Sequence, residues 1–569
     1  MNYQHIFSVA EICSRHEIAH AVISPGSRSA PLTIAFARHK NIQCKVIPDE
    51  RSAAFVAMGM AQQLDKPVAL ICTSGSAALN YFPAIAEAYF QQIPLLILTA
   101  DRPPEWIDQF DGQTIRQKNV YGNHVKKSYD IEADVSSEDA QWFLQRQINE
   151  GILKANTFPK GPVHFNFPFR EPLYTTEEIT YPEVKIVKNE STKAKFNDNQ
   201  LEELKKELAY FERKLIVCGQ NQYPAEVLEL VNKASTGLKI PVVGDIISNI
   251  HSIETAVTHA DVFLSSDKSG LDKSLKPDLL ITIGKSIVSK NLKIMLRQNQ
   301  PVEHWHIQKS GDVADTYKAL TRTINCEESE FLKLLIDSQP KEDFQNQKQE
   351  NYYHIWQIEE RKTLRHIDSF FPQTFPSEFS TIEEVLSQLH SANLHLANSM
   401  AVRYANFIGI RPEQTDITVY SNRGTSGIDG GTSTAIGATL VSDKLNLLIS
   451  GDMAFLYDRN AFWHNYNYSN FRALILNNHG GGIFRMINGP SNTPEVDEYF
   501  VTNQKNTAKH LAEEYGIEYL LCDKKSKIKN YVKRLLEDDG TPKIMEIETD
   551  SFTDKQILQD FKAGYNKLK

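Results

Sequence analysis

Residues 447–453 read Leu-Leu-Ile-Ser-Gly-Asp-Met, and residues 473–482 read Ala-Leu-Ile-Leu-Asn-Asn-His-Gly-Gly-Gly. Each begins as a short apolar run without alternation, which is how a strand buried on both faces reads. The chain between them has the length of one helical crossover, so the two strands are predicted to be parallel neighbours. Ligands of an open parallel sheet lie beyond the carboxyl ends of its strands. Asp452 and Asn478 follow those ends and are expected at one sheet edge. A carboxylate, an amide oxygen and a loop carbonyl such as that of Gly480 suit a small hard cation, Mg2+ or Mn2+, that keeps positions open for phosphate oxygens. Glycines there let backbone approach a diphosphate closely. Gly-Asp alone reads better as a strand ending in an Asx turn; the Asn-Asn-x-Gly-Gly-Gly run at crossover spacing favours the ligand site.

Outward from this pair the same rhythm fills the chain. Strands are predicted at 21–23, 45–47, 68–71, 94–98 and 162–167, with helical stretches at 31–39, 51–64 and 77–90. A polar stretch, Lys188 to Gln200, interrupts the pattern, and strands resume at 215–217, 241–243 and 279–283. A second apolar-poor segment, Pro340 to Asn351, precedes strands at 417–420, 447–449, 473–476 and 544–547. The fold class is therefore α/β, with three doubly wound parallel-sheet domains over 1–187, 188–345 and 346–569.

Composition bounds the function. The chain has 569 residues, 41% of them hydrophobic, and a net charge of -9 from 62 basic and 71 acidic side chains. That balance excludes the basic face of a nucleic-acid binder but leaves room for an anionic ligand in an arginine-lined cleft. Cys13, Cys44, Cys72, Cys218, Cys326 and Cys522 are scattered without a C-x-x-C pair, so neither a disulfide framework nor a zinc site is expected. The first residues read as an amphipathic helix with a capping box from Ser8 to Glu11. They lack the regions of a signal peptide, and no apolar run is long enough to span a bilayer, so a cytoplasmic location is expected.

Gly451-Asp452-Met453 with Asn477-Asn478 is similar to the diphosphate motif of thiamine-diphosphate enzymes, Gly-Asp-Gly followed by Asn-Asn, with Met453 in place of the last glycine. Pro48-Asp49-Glu50-Arg51 puts Glu50 at a strand-to-helix junction, and Thr73-Ser74-Gly75-Ser76 opens the following helix. A glutamate in a first helical turn is most often surface complementation of the helix dipole. These runs together resemble the pyrimidine-binding domain of the same superfamily. The resemblance implies that Glu50 hydrogen-bonds the pyrimidine ring and favours its imino tautomer. It also implies a homodimer or homotetramer with active sites at the subunit interface.

Longer runs narrow the family. Ser24-Pro25-Gly26-Ser27-Arg28, the DERSAAF run from Asp49, LTADRPPEWID from Leu98, Gln113-Thr114-Ile115-Arg116-Gln117, SNRGTSGIDG from Ser421 and Gly481-Gly482-Ile483-Phe484 resemble the 2-succinyl-5-enolpyruvyl-6-hydroxy-3-cyclohexene-1-carboxylate synthases of menaquinone biosynthesis. By that resemblance, the substrates are 2-oxoglutarate, which is decarboxylated, and isochorismate, whose ring alkene accepts the remaining unit. Both carry two carboxylates, which the planar fork of arginine grips. Arg28, Arg102, Arg403 and Arg423 read as lying in loops or at element ends; most arginines, though, pair with a surface acid. The resemblance adds Ser27, Gln113, Gln117, Lys290 and Ser399 to the substrate side. It puts Pro25, Thr73, Ser74, Gly75, Gly451, Met453, Gly481, Ile483 and Phe484 against the cofactor. It makes Ile428 the wedge that bends the cofactor, a residue that reads equally as ordinary core. His39, His124 and His164 have no partner legible in the sequence.

Overall fold

The computed structural model describes residues 3–568 apart from 191–195, 266–269, 339–345, 372–375, 488, 523, 525 and 526. Its strands form three sheets, and every pairing within them is parallel. The first sheet contains β1 (His20–Ile23), β2 (Gln43–Val46), β3 (Val68–Cys72), β4 (Leu95–Asp101), β5 (Ser128–Asp130) and β6 (Val163–Pro168), in the order β2-β1-β3-β4-β6-β5. The second contains β7 (Lys214–Cys218), β8 (Val242–Gly244), β9 (Leu279–Ile283), β10 (Glu303–Gln308) and β11 (Arg322–Asn325), in the order β11-β10-β9-β7-β8. The third contains β12 (Ser391–Leu396), β13 (Asp416–Tyr420), β14 (Asn446–Gly451), β15 (Phe471–Asn477), β16 (Glu518–Cys522) and β17 (Lys543–Glu548), in the order β13-β12-β14-β15-β17-β16.

Numbered from their own first strands, the first and third sheets have one and the same order. Each reverses direction at its first strand, which opens a crevice between β1 and β3 and between β12 and β14, where ligands of such sheets bind. The loops there are Ser24–Ser29 with Thr73–Ser76 in one domain, and Ala397–Met400 with Gly451–Met453 in the other.

Two helices hold these domains together within the chain. Glu50–Leu64 buries Ala53 through Ala61 and lies against Gly431–Thr439, itself buried from Thr432 to Thr439. Glycines set the approach: a Cβ on Gly59 would stand 2.1 Å from the Thr434 carbonyl oxygen, and one on Gly437 2.2 Å from that of Val56.

Several expectations change. The first helix runs Gln4–Arg15 behind Tyr3, so Ser8 is in mid-helix and caps nothing. Its hydroxyl donates to the His5 carbonyl at 2.6 Å, the local bond that a buried helical serine makes. Both apolar-poor stretches are partly helical: Asp198–Tyr210 starts at a capping box between Asn197 and Gln200, and Asn346–Phe370 buries Tyr352 and Trp356. Within those stretches, 191–195 and 340–345 lie outside the described residues. Among the described residues the six cysteines are free, and no helix is long and apolar enough to cross a membrane.

Candidate active site

β14 and β15 pair with Ser450 opposite Ile475 and Gly451 opposite Leu476, so Asp452 and Asn478 emerge side by side. Asp452 begins the helix Asp452–Tyr457 and is 2% exposed. Its Oδ2 accepts Gln504 Nε2 at 2.7 Å, and burial pushes its carboxyl above the usual range, a shift that a nearby cation reverses. Asn478 Nδ2 donates to Glu378 Oε1 at 2.7 Å, while its Oδ1 is buried with no partner among the described residues. His479, with φ of 61°, turns the chain, and a Cβ on Gly480 would stand 2.6 Å from the Val501 carbonyl oxygen. Gly451 differs: no described atom lies within 4 Å of its Cβ position. The space beside that glycine is open, so its backbone is accessible to a diphosphate. An orphaned amide oxygen, a buried carboxylate and an open glycine fit a cation with its diphosphate. The described residues hold no group of three His, Cys, Asp or Glu side chains suited to a metal; this donor set uses one carboxylate, one amide and one carbonyl.

The first domain presents Glu50 as the opening residue of its helix, behind Asp49, whose side chain accepts Ser52 N–H at 3.0 Å. Glu50 is half-buried, and its charge helps to raise the Cys72 thiol and the Tyr81 phenol, after burial, which acts most strongly on both. Thr73 and Ser74 are buried, and Gly75, with φ of 87°, donates its N–H to Gln117 Oε1 at 3.2 Å. Gln117 Nε2 reaches the Ala100 carbonyl and Asn166 Oδ1, both at 2.8 Å, so this side chain is fully engaged in shaping the loop. Gln113 has a φ of 55° and packs its backbone against Gly75. Pro25 and Ser27 are exposed at the end of β1.

The four arginines divide into two pairs. Arg28 donates to the Phe169 carbonyl at 3.0 Å and approaches Glu171 at 3.5 Å, and Arg102 is paired with Asp111. Arg403 and Arg423 make no salt bridge among the described residues, and burial lowers both below the ordinary arginine value. Arg403 is inside a helix, the fourth residue of Met400–Ile408, and donates to the carbonyl of Ser399, whose φ is 72°. Arg423 Nη1 donates to Asn398 Oδ1 at 2.6 Å, and Asn398 Nδ2 spans to the Asn422 and Gly427 carbonyls at 2.7 Å each. Two partly buried guanidinium groups, one in the field of the other and neither in a salt bridge among the described residues, suit an anionic ligand. Lys290 is exposed at the start of Lys290–Gln298, whereas Lys293, one turn on, is lowered by burial and lies in the field of Asp245 and Arg423.

Ile428 is 43% exposed at the mouth of a cleft lined by Ala397, Asn398, Asn422 and Gly427, which removes the core alternative. Met453, Ile483 and Phe484 are partly buried, with Phe484 against the Phe500 ring at 5.7 Å. Gly481 donates its N–H to the Val501 carbonyl at 2.7 Å, fixing the loop they ride on. His39 meets Glu11 at 2.9 Å, and His164 joins Thr99 and Ser128, so both histidines have structural partners. His124 packs against the rings of Phe82 and Phe90. Sequence reading missed Glu87, Glu378, Asn398 and Gln504; only Asn398 adjoins a predicted site residue, Ser399.

The model described as "Thiamine pyrophosphate enzyme, N-terminal TPP binding domain" matches residues 6–123. "Middle domain of thiamine pyrophosphate" matches 189–396, and "Thiamine pyrophosphate enzyme, C-terminal TPP binding domain" matches 399–547. The chain is 44% identical over 564 residues to the 2-succinyl-5-enolpyruvyl-6-hydroxy-3-cyclohexene-1-carboxylate synthase of Cytophaga hutchinsonii, covering 98% of each chain. It is 41% identical to the protein of that name from Flavobacterium johnsoniae, covering 97% of each, and 35% identical to that of Bacteroides thetaiotaomicron, covering 100% of this chain and 99% of the other.

Proposed function

The chain belongs to the family of 2-succinyl-5-enolpyruvyl-6-hydroxy-3-cyclohexene-1-carboxylate synthases, and from that premise we propose that it joins the unit left by decarboxylation of 2-oxoglutarate to isochorismate. It is a thiamine-diphosphate-dependent transferase that forms a carbon–carbon bond. The observation that carries this reading is the 44% identity extending over 98% of both chains. No feature favours an acetolactate-type enzyme, a simple decarboxylase or a cofactor-binding protein without activity.

Thiamine diphosphate, when bound, supplies a nucleophilic carbon and a sink for the electrons that decarboxylation releases. Asp452, Asn478 and the Gly480 carbonyl hold Mg2+ or Mn2+, and Gly451, Gly481, Thr73, Ser74 and Gly75 leave the backbone close to the cofactor. Glu50 holds a proton on the pyrimidine ring nitrogen. Arg403 and Arg423, the two guanidinium groups without a salt bridge among the described residues, bind substrate carboxylates; Arg28, Arg102, Ser27, Gln113, Ser399 and Lys290 complete the substrate side. Ile428, Ile483 and Phe484 exclude water from the reacting carbons.

The reaction takes place in the cytoplasm, in at least a dimer. Val46, Tyr457 and Trp463 support the dimer: they leave apolar surface in solvent beside the Glu50 junction.

The test is consumption of 2-oxoglutarate by purified protein with Mg2+ and thiamine diphosphate. Rapid consumption only when isochorismate is present, with the adduct seen by mass spectrometry, is expected. Equal consumption without isochorismate, or consumption of pyruvate alone, moves the chain to another thiamine-diphosphate activity.

A further inference from the structure

Glu378 lies in none of the motifs, yet it holds the side chain of Asn478. It opens the helix Glu378–Gln388, which Ser377 caps by accepting Ser380 N–H at 3.0 Å. Its carboxylate is enclosed, with the residue 1% exposed. Oε1 accepts Asn478 Nδ2 at 2.7 Å, and Oε2 has no partner among the described residues. The Glu378 backbone N–H donates to Asp554 Oδ1 at 3.0 Å, and Asp554 Oδ2 accepts the Thr549 hydroxyl at 2.6 Å. Asp554, on the helix Ser551–Asn566, thus fixes the main chain of Glu378, and Glu378 fixes the amide of Asn478.

An amide has one donating end and one accepting end. Because Nδ2 is tied to Glu378, Oδ1 faces the opposite way, where it is buried and unpaired. Rotating the amide by half a turn would oppose two oxygens at Glu378 and aim a donor at the place a cation needs an acceptor. An enclosed carboxylate that satisfies a single side-chain donor is a poor choice for packing alone, where an apolar residue avoids the desolvation. Gln504 does the matching service for the other ligand through Asp452 Oδ2. Outer partners of this kind orient metal ligands and tune affinity.

We propose that Glu378 is a positioning residue for the divalent cation, turning Asn478 Oδ1 toward it and blocking rotation of the amide. This rests on the reading of Asp452 and Asn478 as the cation's ligands.

The test is Mn2+ binding to the full-length protein saturated with thiamine diphosphate, measured by the electron paramagnetic resonance signal of unbound Mn2+. Wild type is compared with Glu378→Ala, Glu378→Gln and Asp452→Ala, and the melting temperature of each is recorded without metal. Glu378→Ala is expected to weaken Mn2+ binding about 10- to 100-fold. Glu378→Gln, whose amide oxygen still accepts from Asn478, is expected to stay within about threefold of wild type. Should Glu378→Ala fail to fold, Glu378→Met, which keeps the volume and cannot accept the amide, takes its place. Wild-type affinity in the Ala or Met variant, with Asp452→Ala binding lost, overturns the role of Glu378 alone. Equal weakening in the Ala and Gln variants overturns it as well. Wild-type affinity in Asp452→Ala overturns the cation site itself, and the proposal with it.

Discussion

Glu87 Oε2 accepts both the backbone N–H and the hydroxyl of Thr425, each at 2.6 Å. Oε1 accepts Gly424 N–H and Gln91 Nε2, each at 2.7 Å, so every lone pair of this fully buried carboxylate is used. Gly424 has no room for a side chain, since a Cβ there would stand 2.7 Å from the Glu87 carbonyl oxygen. The neighbouring Gln91 Oε1 accepts Gln220 Nε2 at 3.1 Å, and the same amide donates to the Ser421 carbonyl at 2.9 Å. The loop that carries Arg423 is thereby held by the first and second domains as well as by Asn398 of its own.

Glu87→Gln therefore exchanges one acceptor for a donor that faces another donor. A buried group left unpaired costs about 1–3 kcal/mol. The KM for 2-oxoglutarate or isochorismate is expected to rise roughly tenfold while thiamine diphosphate affinity stays near wild type. Steady-state kinetics alongside a cofactor titration read both quantities. Unchanged KM values for both substrates would detach Arg423 from this support.

Glu50→Gln tests the other half of the site. The amide keeps the shape of the half-buried side chain at the start of Glu50–Leu64 but cannot hold the proton that the pyrimidine ring shares. Turnover is expected to fall by a factor of about 100 or more, with cofactor binding by calorimetry largely retained. Wild-type turnover removes Glu50 from the role.

Much of this was legible in the chain itself. Runs such as Leu279–Ile283 and Leu447–Ile449 are buried on both faces and declare themselves by apolar content alone. β12 does not, although it lies inside its sheet: Asn393 and His395 are buried there because Asn446 hydrogen-bonds both, at 3.1 and 3.3 Å. β5, β11 and β16 are edge strands with weak apolar patterns, and β10 alternates polar residues that Thr282 satisfies through His304 and His306. Asp452 and Asn478 follow strands directly and could be found by position. Glu378 and Gln504 serve them from 100 and 52 residues away in sequence, a relation that only packing creates.

Gly437→Ala tests how the first and third domains are joined. The new methyl would meet the Val56 carbonyl oxygen, and the helices Gly431–Thr439 and Glu50–Leu64 would have to separate. Overpacking of this kind destabilises by about 1–3 kcal/mol. A lower melting temperature and weaker thiamine diphosphate binding are expected together, because the two crevices lie on the domains these helices connect. A lower melting temperature with unchanged cofactor affinity would separate stability from site assembly.

His259 and Glu360 give stability a pH dependence with a defined sign. His259 Nδ1 meets Glu360 Oε1 at 2.6 Å and Nε2 meets the Ile408 carbonyl at 2.9 Å, so both ring nitrogens face acceptors. Burial alone lowers the imidazole, but Glu360 and the Ile408 carbonyl outweigh it and hold His259 above its ordinary 6.5. Burial likewise raises Glu360, but His259 and the Thr258 and His259 N–H groups hold it below its ordinary 4.5. The histidine's contribution is complete below pH 6.5 and is lost as pH rises through its raised value. The glutamate's is complete above pH 4.5 and is lost as pH falls through its lowered value. The pair stabilises most between those two limits. His259→Ala strands a buried carboxylate and is expected to cost about 3–5 kcal/mol there. In melting curves from pH 5 to pH 9, the gap between wild type and variant should be widest near the acid end and narrow as the histidine loses its proton. A gap that stays constant across the range would mean that His259 is not charged in the folded protein.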